Sequence, residues 1–213
     1  MRRAGDASQD AAAGEDRRRA EVSRDRYRQD CRRTRGRSLE LADGKDRCVP
    51  RRASVNIRHE RAEDFGAIRR LLIVAFGGPA EATLVEGLRE DGDLALALVA
   101  KDANEVVGYV AFSPLESPER ALALAPLAVA PEQQRRGIGA ALIAEALRQA
   151  RAGGWGAMFV LGDPEYYGRF GFTPEAAAGF DSPYAGPHFM ALQLSDVPVR
   201  AAPVVYSKRF SAL

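Results

Sequence analysis

The most informative part of the chain is residues 127–140, LAVAPEQQRRGIGA. An apolar strand runs into Pro131, a polar turn follows, and Gly137 and Gly139 open a helix that extends to about Ala152. A helix start has backbone N–H groups without internal partners and carries a positive partial charge. Because glycine lets a ligand approach the backbone closely, the pattern predicts a diphosphate-binding site.

Two common phosphate motifs do not fit this stretch. The dinucleotide fingerprint requires Gly or Ala at the sixth position counted from Gly137, where Leu142 stands, and the Gly-Lys-Ser/Thr of a nucleotide P-loop is absent. The pattern that matches is Gln/Arg-x-x-Gly-x-Gly/Ala, at residues 134–139. A tight strand-to-helix turn without any ligand is the alternative interpretation of the same hexapeptide.

The hexapeptide resembles the coenzyme A pyrophosphate loop of the GNAT acetyltransferases, and so do the segments on either side of it. In that family a Leu-Ala-Val strand and a Pro precede the loop, as in residues 127–131, and a long amphipathic helix follows it. A later short helix carries a Tyr four residues before Gly-Phe, which matches Tyr167 and Gly171-Phe172. Residues 162–172, GDPEYYGRFGF, look like one branch of predicted N-acetyltransferases, and the resemblance spans about residues 55–194.

The resemblance implies acetyl-CoA as co-substrate, an amine-bearing acceptor and no metal. The strand that ends at Val129 is expected to lie open at its edge and to pair with the pantetheine amides, and a backbone N–H near Val129 to polarise the thioester carbonyl. The implied cofactor-binding residues are Leu127, Ala128, Val129, Gln134, Arg135, Arg136, Gly137, Ile138, Gly139 and Ala140. Tyr167 is the candidate general acid for the coenzyme A sulfur, and packing against the core is its other interpretation. Tyr166, beside it, is expected to point elsewhere.

The general base stays open. Many relatives use a carboxylate on the strand before the loop, and residues 122–129 contain none. Asp163, Glu116 and His188 are candidates, although Asp163 could instead only cap the helix that follows it. A water relay, or an amine that is already neutral at the working pH, is equally open. The acceptor is expected between residues 76–88 and the loop 175–187. Two histidines and a body without cysteine predict no metal site.

Apolar periodicity on both sides of the loop predicts an α/β fold for residues 54–213, in which helices flank a mixed central β-sheet. The resemblance implies that these residues form a single GNAT-like domain. The predicted order is β-α-α-β-β-β-α-β-α-β-β, with a parallel strand-helix-strand unit over residues 122–161. The predicted strands lie at about 55–57, 94–101, 106–112, 122–129, 158–161, 189–194 and 204–210.

Residues 1–53 differ from this body. They contain 16 basic and 10 acidic residues and few large apolar ones, whereas residues 54–213 contain 15 basic and 19 acidic residues. The composition predicts a disordered Arg-rich segment. A translation start further into the chain, for instance at Val49 or Val55, stays open.

Composition also limits partners and compartment. The only cysteines, Cys31 and Cys48, build no disulfide framework in the body, and no apolar run approaches the roughly 20 residues of a membrane span, so a cytoplasmic protein that does not bind membranes is expected. Two other function classes remain, a non-catalytic acyl-CoA-binding module and a nucleic-acid-associated protein acting through residues 1–53. The acidic body argues against nucleic acid. A monomer and a homodimer are both open.

Overall fold

The computed structural model describes residues 37–42, 45–50 and 55–212. The chain divides into two units, Met1–Ala53 and Ser54–Leu213.

Within the first unit, an antiparallel hairpin is formed by β1 (Arg37–Ala42) and β2 (Lys45–Pro50). These strands are not among those predicted from the sequence; the rest of the disorder prediction for residues 1–53 lies outside the described residues. Leu39 and Leu41 alternate with polar residues, and the intervening dipeptide Asp43-Gly44 is one that favours two-residue hairpin turns. An isolated two-stranded hairpin is only marginally stable in water.

The second unit contains one six-stranded sheet, in which the strands lie in chain order from β3 to β8. Its strands are β3 (Asn56–His59), β4 (Leu96–Asp102), β5 (Glu105–Pro114), β6 (Ala121–Val129), β7 (Ala157–Leu161) and β8 (Phe189–Gln193). Neighbours pair antiparallel except β6 and β7, which are parallel. The predicted mixed sheet and its parallel unit are therefore confirmed.

Five α-helices are described in this unit, and three of them are long. They are α1 (Phe65–Phe76), α2 (Ala80–Asp91), α3 (Ile138–Ala152), α4 (Pro164–Tyr167) and α5 (Pro174–Ala177). Short 3-10 turns lie at Ala62–Asp64, Pro131–Gln133, Gly168–Phe170 and Lys208–Ala212. The two helices predicted between the first strand of this unit and the hairpin of β4 and β5 are present. Gly77 (φ 76°) and Gly92 (φ 78°) end them in the left-handed conformation.

Two apolar clusters hold the helices and loops on the sheet. The first joins α1 and α2 to β4, β5 and β6, through side chains such as Ile68, Leu72 and Leu88. The second lies around β7 and β8, where the ring of Phe159 packs against those of Phe180 and Phe189 at 4.8 and 5.6 Å. The C-terminal segment reaches both, since Phe210 packs on the first cluster and Tyr206 on the second.

The strand predicted for residues 204–210 is wrong. Val205 pairs with Ser117, and Pro203 with Asp181, only as isolated bridges, and the following residues form a 3-10 turn. Buried and exposed side chains do alternate at the start of this segment, as in a strand, because Val204 is buried and Val205 is 41% exposed. However, Thr173 exchanges two backbone hydrogen bonds of 3.0 Å with Ala191 of β8, so this part of the outer edge of the sheet is already occupied.

A buried polar network ties β5 to α2 and to the residue that follows β3. The Tyr109 hydroxyl, fully buried, donates to Glu60 Oε2 at 2.9 Å, and Arg89 donates to both Glu60 oxygens at 2.8 and 2.9 Å. Burial is the largest cause that raises the pKa of Tyr109, and the neighbouring Glu60 charge adds to it, so this phenol remains a donor at neutral pH.

Tyr109→Phe is expected to lower the free energy of unfolding by about 1.5–3 kcal/mol, the usual value of a hydrogen bond to a charged group. Urea denaturation of the full chain measures it as a lower midpoint at an unchanged slope. The same change at Tyr184, which is 46% exposed, serves as the control and should stay within about 0.5 kcal/mol of the parent. Equal midpoints for Tyr109→Phe and the parent would show that the network adds no stability.

Candidate active site

Strands β6 and β7 separate part of the way along the sheet. Their parallel pairing covers Ala121–Ala123 opposite Ala157–Phe159, while β6 continues to Val129. Residues 124–129 therefore bond only to β5, and their other edge is unpaired within the described sheet. The open edge expected for this strand is present. Such an edge presents backbone N–H and C=O groups that an extended ligand can pair with.

A bulge shapes β6 at the point of separation. Val110 of β5 lies opposite Leu127 and Phe112 lies opposite Leu124, so β6 contains one more residue than β5 over this interval. The extra residue falls at Ala125-Pro126, and proline cannot donate to a ladder. A bulge bends its strand and re-aims nearby groups, which moves the end of β6 away from β7.

The glycine loop follows directly. Gly137 has φ 83° and precedes α3, whose first turn has no side-chain cap. The N–H of Ala141 bonds to the Gly137 carbonyl at 2.9 Å, so the preceding N–H groups, those of residues 138–140, point out of the helix start. Gln134 Nε2 donates to the Val129 carbonyl at 3.2 Å and ties the loop to the end of β6.

Arg136 contributes a buried donor to this loop. One of its guanidinium nitrogens bonds to the Gln133 side chain, whereas its Nε is buried and lacks a partner among the described residues. A buried donor without an acceptor costs free energy, which a phosphate oxygen would recover. The adjacent Arg135 is exposed and has φ 59°. The loop thus fits a diphosphate in shape, charge and free donors.

The predicted binding residues do not all offer their side chains. Ala128 and Ile138 are buried, and Ile138 lies so close to Gly108 that a Cβ there would come within 2.9 Å of it. These two residues offer backbone atoms only. Leu127 lines the cavity described below.

Tyr166 lies at the glycine loop, a position that the sequence analysis did not predict. A Cβ added to Gly139 would lie 2.6 Å from the Tyr166 hydroxyl, so this phenol sits directly over the start of α3. The Arg169 guanidinium stacks on the Tyr166 ring, 4.6 Å from its centroid. The only signal in the sequence was the Tyr-Tyr pair itself, whose two side chains leave a helix in different directions.

Tyr167, the next residue of α4, meets the Tyr166 ring edge-on, with centroids 4.9 Å apart. Its ring packs on Gly162, where any Cβ would collide with it, and meets Phe172 edge-on at 6.0 Å. The side chain is 8% exposed and faces the cavity. Burial raises the pKa of Tyr167, and its neighbour Tyr166 adds to the shift. The phenol therefore stays protonated and able to donate well above neutral pH.

A cavity of about 510 Å³ opens between α1, α2, the separating strands and the C-terminal segment. The two regions expected to border the acceptor, residues 76–88 and the loop 175–187, both contribute to the wall of this cavity. The lining residues are Phe76, Glu81, Leu84, Ala123, Leu124, Ala125, Pro126, Leu127, Phe159, Val160, Leu161, Tyr167, Tyr184, Tyr206 and Phe210.

None of the three candidate bases lies among these lining residues. Asp163 Oδ1 accepts from the Glu165 N–H at 2.9 Å and caps α4, the alternative weighed for it. His188 Nδ1 lies 3.1 Å from the Gly162 carbonyl, and Glu116 is exposed. The acidic residue that does line the cavity is Glu81, in the first turn of α2, which the sequence analysis did not single out.

The described ranges contain no cluster of three or more residues able to hold a metal ion. Within the same ranges, no helix has the length and apolar character needed to cross a membrane.

The open edge, the bulge and the glycine loop together define an acyltransferase-type fold with a site for an extended acyl thioester. Residues 59–172 match the acetyltransferase (GNAT) family. The chain belongs to this family, and the prediction of an acetyl-CoA-dependent acetyltransferase is confirmed.

Relatives and solved structures agree with this assignment. The chain is 44% identical over 129 residues to the uncharacterized N-acetyltransferase YhbS of Escherichia coli K12, covering 59% of this chain and 76% of YhbS. It is similar to the crystal structure of YhbS in complex with CoA, with a TM-score of 0.70 at 37% identity, over 74% of this chain and 92% of the other. It is also similar to the crystal structure of a GNAT family acetyltransferase from Brucella melitensis in complex with acetyl-CoA, with a TM-score of 0.64 at 32% identity. That match covers 74% of this chain and 99% of the other.

Proposed function

We propose that the protein transfers the acetyl group of acetyl-CoA to a primary amine of a small molecule, peptide or protein. The observation that carries the proposal is the open edge of β6 running into the uncapped start of α3. This arrangement offers a strand edge for the pantetheine and a helix start for the diphosphate in one continuous line. The CoA and acetyl-CoA complexes of the two solved relatives support this use of the fold.

The residues proposed to hold the co-substrate form three groups. Backbone groups of residues 127–129 would pair with the pantetheine, while the loop 134–137 and the first turn 138–140 would bind the diphosphate. Arg136 supplies its partnerless Nε, and the Tyr166 hydroxyl adds a donor over Gly139. Because these donors lie at a helix start, they act together with the partial positive charge of α3.

Bound acetyl-CoA would supply the acetyl group as a thioester; transfer forms a C–N bond, breaks the C–S bond, removes a proton from the amine and leaves a thiolate. Tyr167 is proposed to donate a hydrogen bond or its proton to that sulfur. A phenol of raised pKa is a weaker acid than a thiol, whose pKa is about 8.5. Donation of a short hydrogen bond to the sulfur is therefore the larger part of the role proposed for Tyr167. A free N–H near Val129 is proposed to polarise the thioester carbonyl.

The second candidate function is a non-catalytic acyl-CoA-binding module. The position of Tyr167 favours the enzyme, because a buried phenol held protonated at a cavity beside the open edge has a use in transfer and none in simple binding. A role with nucleic acid through residues 1–53 falls mostly outside the described residues and stays a prediction, as do the cytoplasmic location and the oligomeric state.

Thiol release from acetyl-CoA by the full chain tests the proposal. A panel of primary amines is supplied in turn, and mass spectrometry measures the acetylated product. A gain of one acetyl group on an amine, with one thiol released for each, is the expected result. If calorimetry shows acetyl-CoA binding and no amine in the panel gains an acetyl group, the binding module becomes the better account.

A further inference from the structure

One wall of the cavity is a row of aromatic rings. Tyr184 and Tyr206 meet edge-on with centroids 5.6 Å apart, and Tyr206 and Phe210 lie 5.3 Å apart at 47°. Tyr184 is 46% exposed, and across the mouth Phe76 and Leu161 are 45% and 53% exposed. Large apolar side chains that stay exposed around one opening indicate a surface that is covered when a ligand binds.

These rings lie outside the part of the chain that matches the family. The match ends at residue 172, whereas Tyr184, Tyr206 and Phe210 follow it. Their segment is fixed in place: Ser207 donates to Asp93 at 2.6 Å, and Arg209 bonds to both oxygens of Asp91 at 2.6 and 2.7 Å. The aromatic wall thus belongs to the late segment, which lies outside the glycine loop and the open edge of β6 proposed for the co-substrate and is suited to acceptor selection.

A single charge faces the cavity. Glu81 is the only acidic residue among the described residues that line it, and none of those residues is basic. Glu81 is partly buried and lies in the first turn of α2, near the positive end of the helix dipole. An anion beside an apolar wall favours a cation whose remaining surface is apolar. The ion pair offsets the cost of taking the ammonium group out of water, and the apolar part gains free energy when it leaves water.

We propose that the acceptor is a primary amine that carries an aromatic ring on a short alkyl chain, that is, an arylalkylamine. Its ammonium group binds the Glu81 carboxylate, and its ring packs against Tyr184, Tyr206 and Phe210. The inference rests on the acetyl transfer proposed above and adds the substrate class and its binding residue.

The cavity disfavours other classes of amine. A polyamine presents two or more cations, whereas Glu81 is the one acidic residue that lines the cavity in the described part of the chain. An amino sugar presents many hydroxyl groups, which would lose their water against the apolar wall without gaining partners. A ring of about phenyl size, by contrast, can stack edge-on in the existing aromatic row.

Glu81 acts by binding, so its effect should fall on acceptor affinity. It holds the ammonium form, and the proton leaves to solvent at the open mouth before the neutral nitrogen reacts. The rate of acetyl transfer at low acceptor concentration is therefore expected to rise with pH toward the pKa of the amine.

The experiment uses the full chain with 2-phenylethylamine, butylamine and 1,4-diaminobutane as acceptors and thiol release as readout. The parent is expected to show kcat/KM for 2-phenylethylamine about tenfold or more above that for the two ring-free amines. Glu81→Gln is expected to raise KM for 2-phenylethylamine about 10- to 100-fold with a much smaller change in kcat. Glu81→Asp, which keeps the charge, should recover part of the loss.

Two controls separate this role from a structural one. Glu90→Gln makes the same change on the same helix at a side chain that is 73% exposed, and it should leave KM unchanged. Acetyl-CoA affinity, measured by calorimetry, should be equal in the parent, Glu81→Gln and Glu90→Gln.

The outcomes distinguish the two proposals. Acetylation of butylamine or 1,4-diaminobutane at a rate equal to or above that of 2-phenylethylamine would overturn the acceptor class while acetyl transfer stands. An unchanged KM in Glu81→Gln would overturn the role of Glu81. Absence of acetyl-CoA binding by the folded parent would overturn the proposed function itself, and the acceptor class with it.

Discussion

Tyr167→Phe is expected to lower kcat about 100-fold or more, the usual contribution of a positioned acid. The variant loses only the hydroxyl, and its ring still packs on Gly162 and Phe172, so the fold and the cavity wall are retained. Acetyl-CoA affinity should therefore stay close to that of the parent. Steady-state thiol release with a saturating amine, beside calorimetry with acetyl-CoA, measures both quantities.

Tyr166→Phe is the matched control for this change. Its hydroxyl lies over Gly139 at the start of α3 and not in the cavity, so the loss is expected in acetyl-CoA affinity and not in kcat. The two tyrosines are neighbours on one short helix and should thus give opposite kinetic patterns. A Tyr167→Phe enzyme with the kcat of the parent would show that the Tyr167 ring only packs.

The raised pKa of Tyr167 fixes the sign of one pH effect. A phenol that titrates above its ordinary value of 10 remains protonated throughout the range in which the acceptor amine loses its proton. The rate is therefore expected to rise with pH and to show no decline below about pH 10 from ionisation of Tyr167.

Gly137→Glu is expected to weaken acetyl-CoA binding about 100-fold or more, since it sets an anion among the donors proposed for the diphosphate. The position has φ 83°, where a side chain also costs about 1–2 kcal/mol of backbone strain. Calorimetric titration of the full chain with acetyl-CoA measures the loss. Space is not the obstacle, because a Cβ at Gly137 meets nothing within 4 Å.

Gly137→Ala separates the charge from the strain. It has the same backbone cost and no carboxylate, so its affinity should fall between those of the parent and Gly137→Glu. Equal binding by Gly137→Glu and the parent would place the diphosphate elsewhere.

The part of the fold that the sequence predicts well is the part built from local signals. Residues 127–140 contain a strand, a breaking proline, a polar turn and a glycine-started helix in one run, and each signal is independent of distant contacts. The helix ends at Gly77 and Gly92 are local in the same sense. The family resemblance then adds the identity of the ligand, which periodicity alone does not supply.

The features that the sequence did not reveal depend on contacts between distant segments. Residues 204–210 have the alternation of a strand, but Thr173 already occupies part of the edge of β8 that they would need. Glu81 has the appearance of an ordinary acid in a first helical turn, and only the packing of α2 beside β6 and Phe210 makes it face a cavity. Tyr166 likewise lies at the glycine loop because it packs over Gly139, 27 positions earlier in the chain.

Hydrogen exchange of the full chain with and without CoA tests most directly whether the co-substrate lies along the open edge of β6 and the start of α3. Slower amide exchange on CoA addition is expected in peptides that cover residues 124–129 and 136–141, because the N–H groups on the open edge of β6 and those of residues 138–140 gain acceptors. Peptides covering β3 and β4, on the far side of the sheet, should exchange at the same rate in both states. CoA binding seen by calorimetry without protection of residues 124–129 and 136–141 would contradict the assignment of the site.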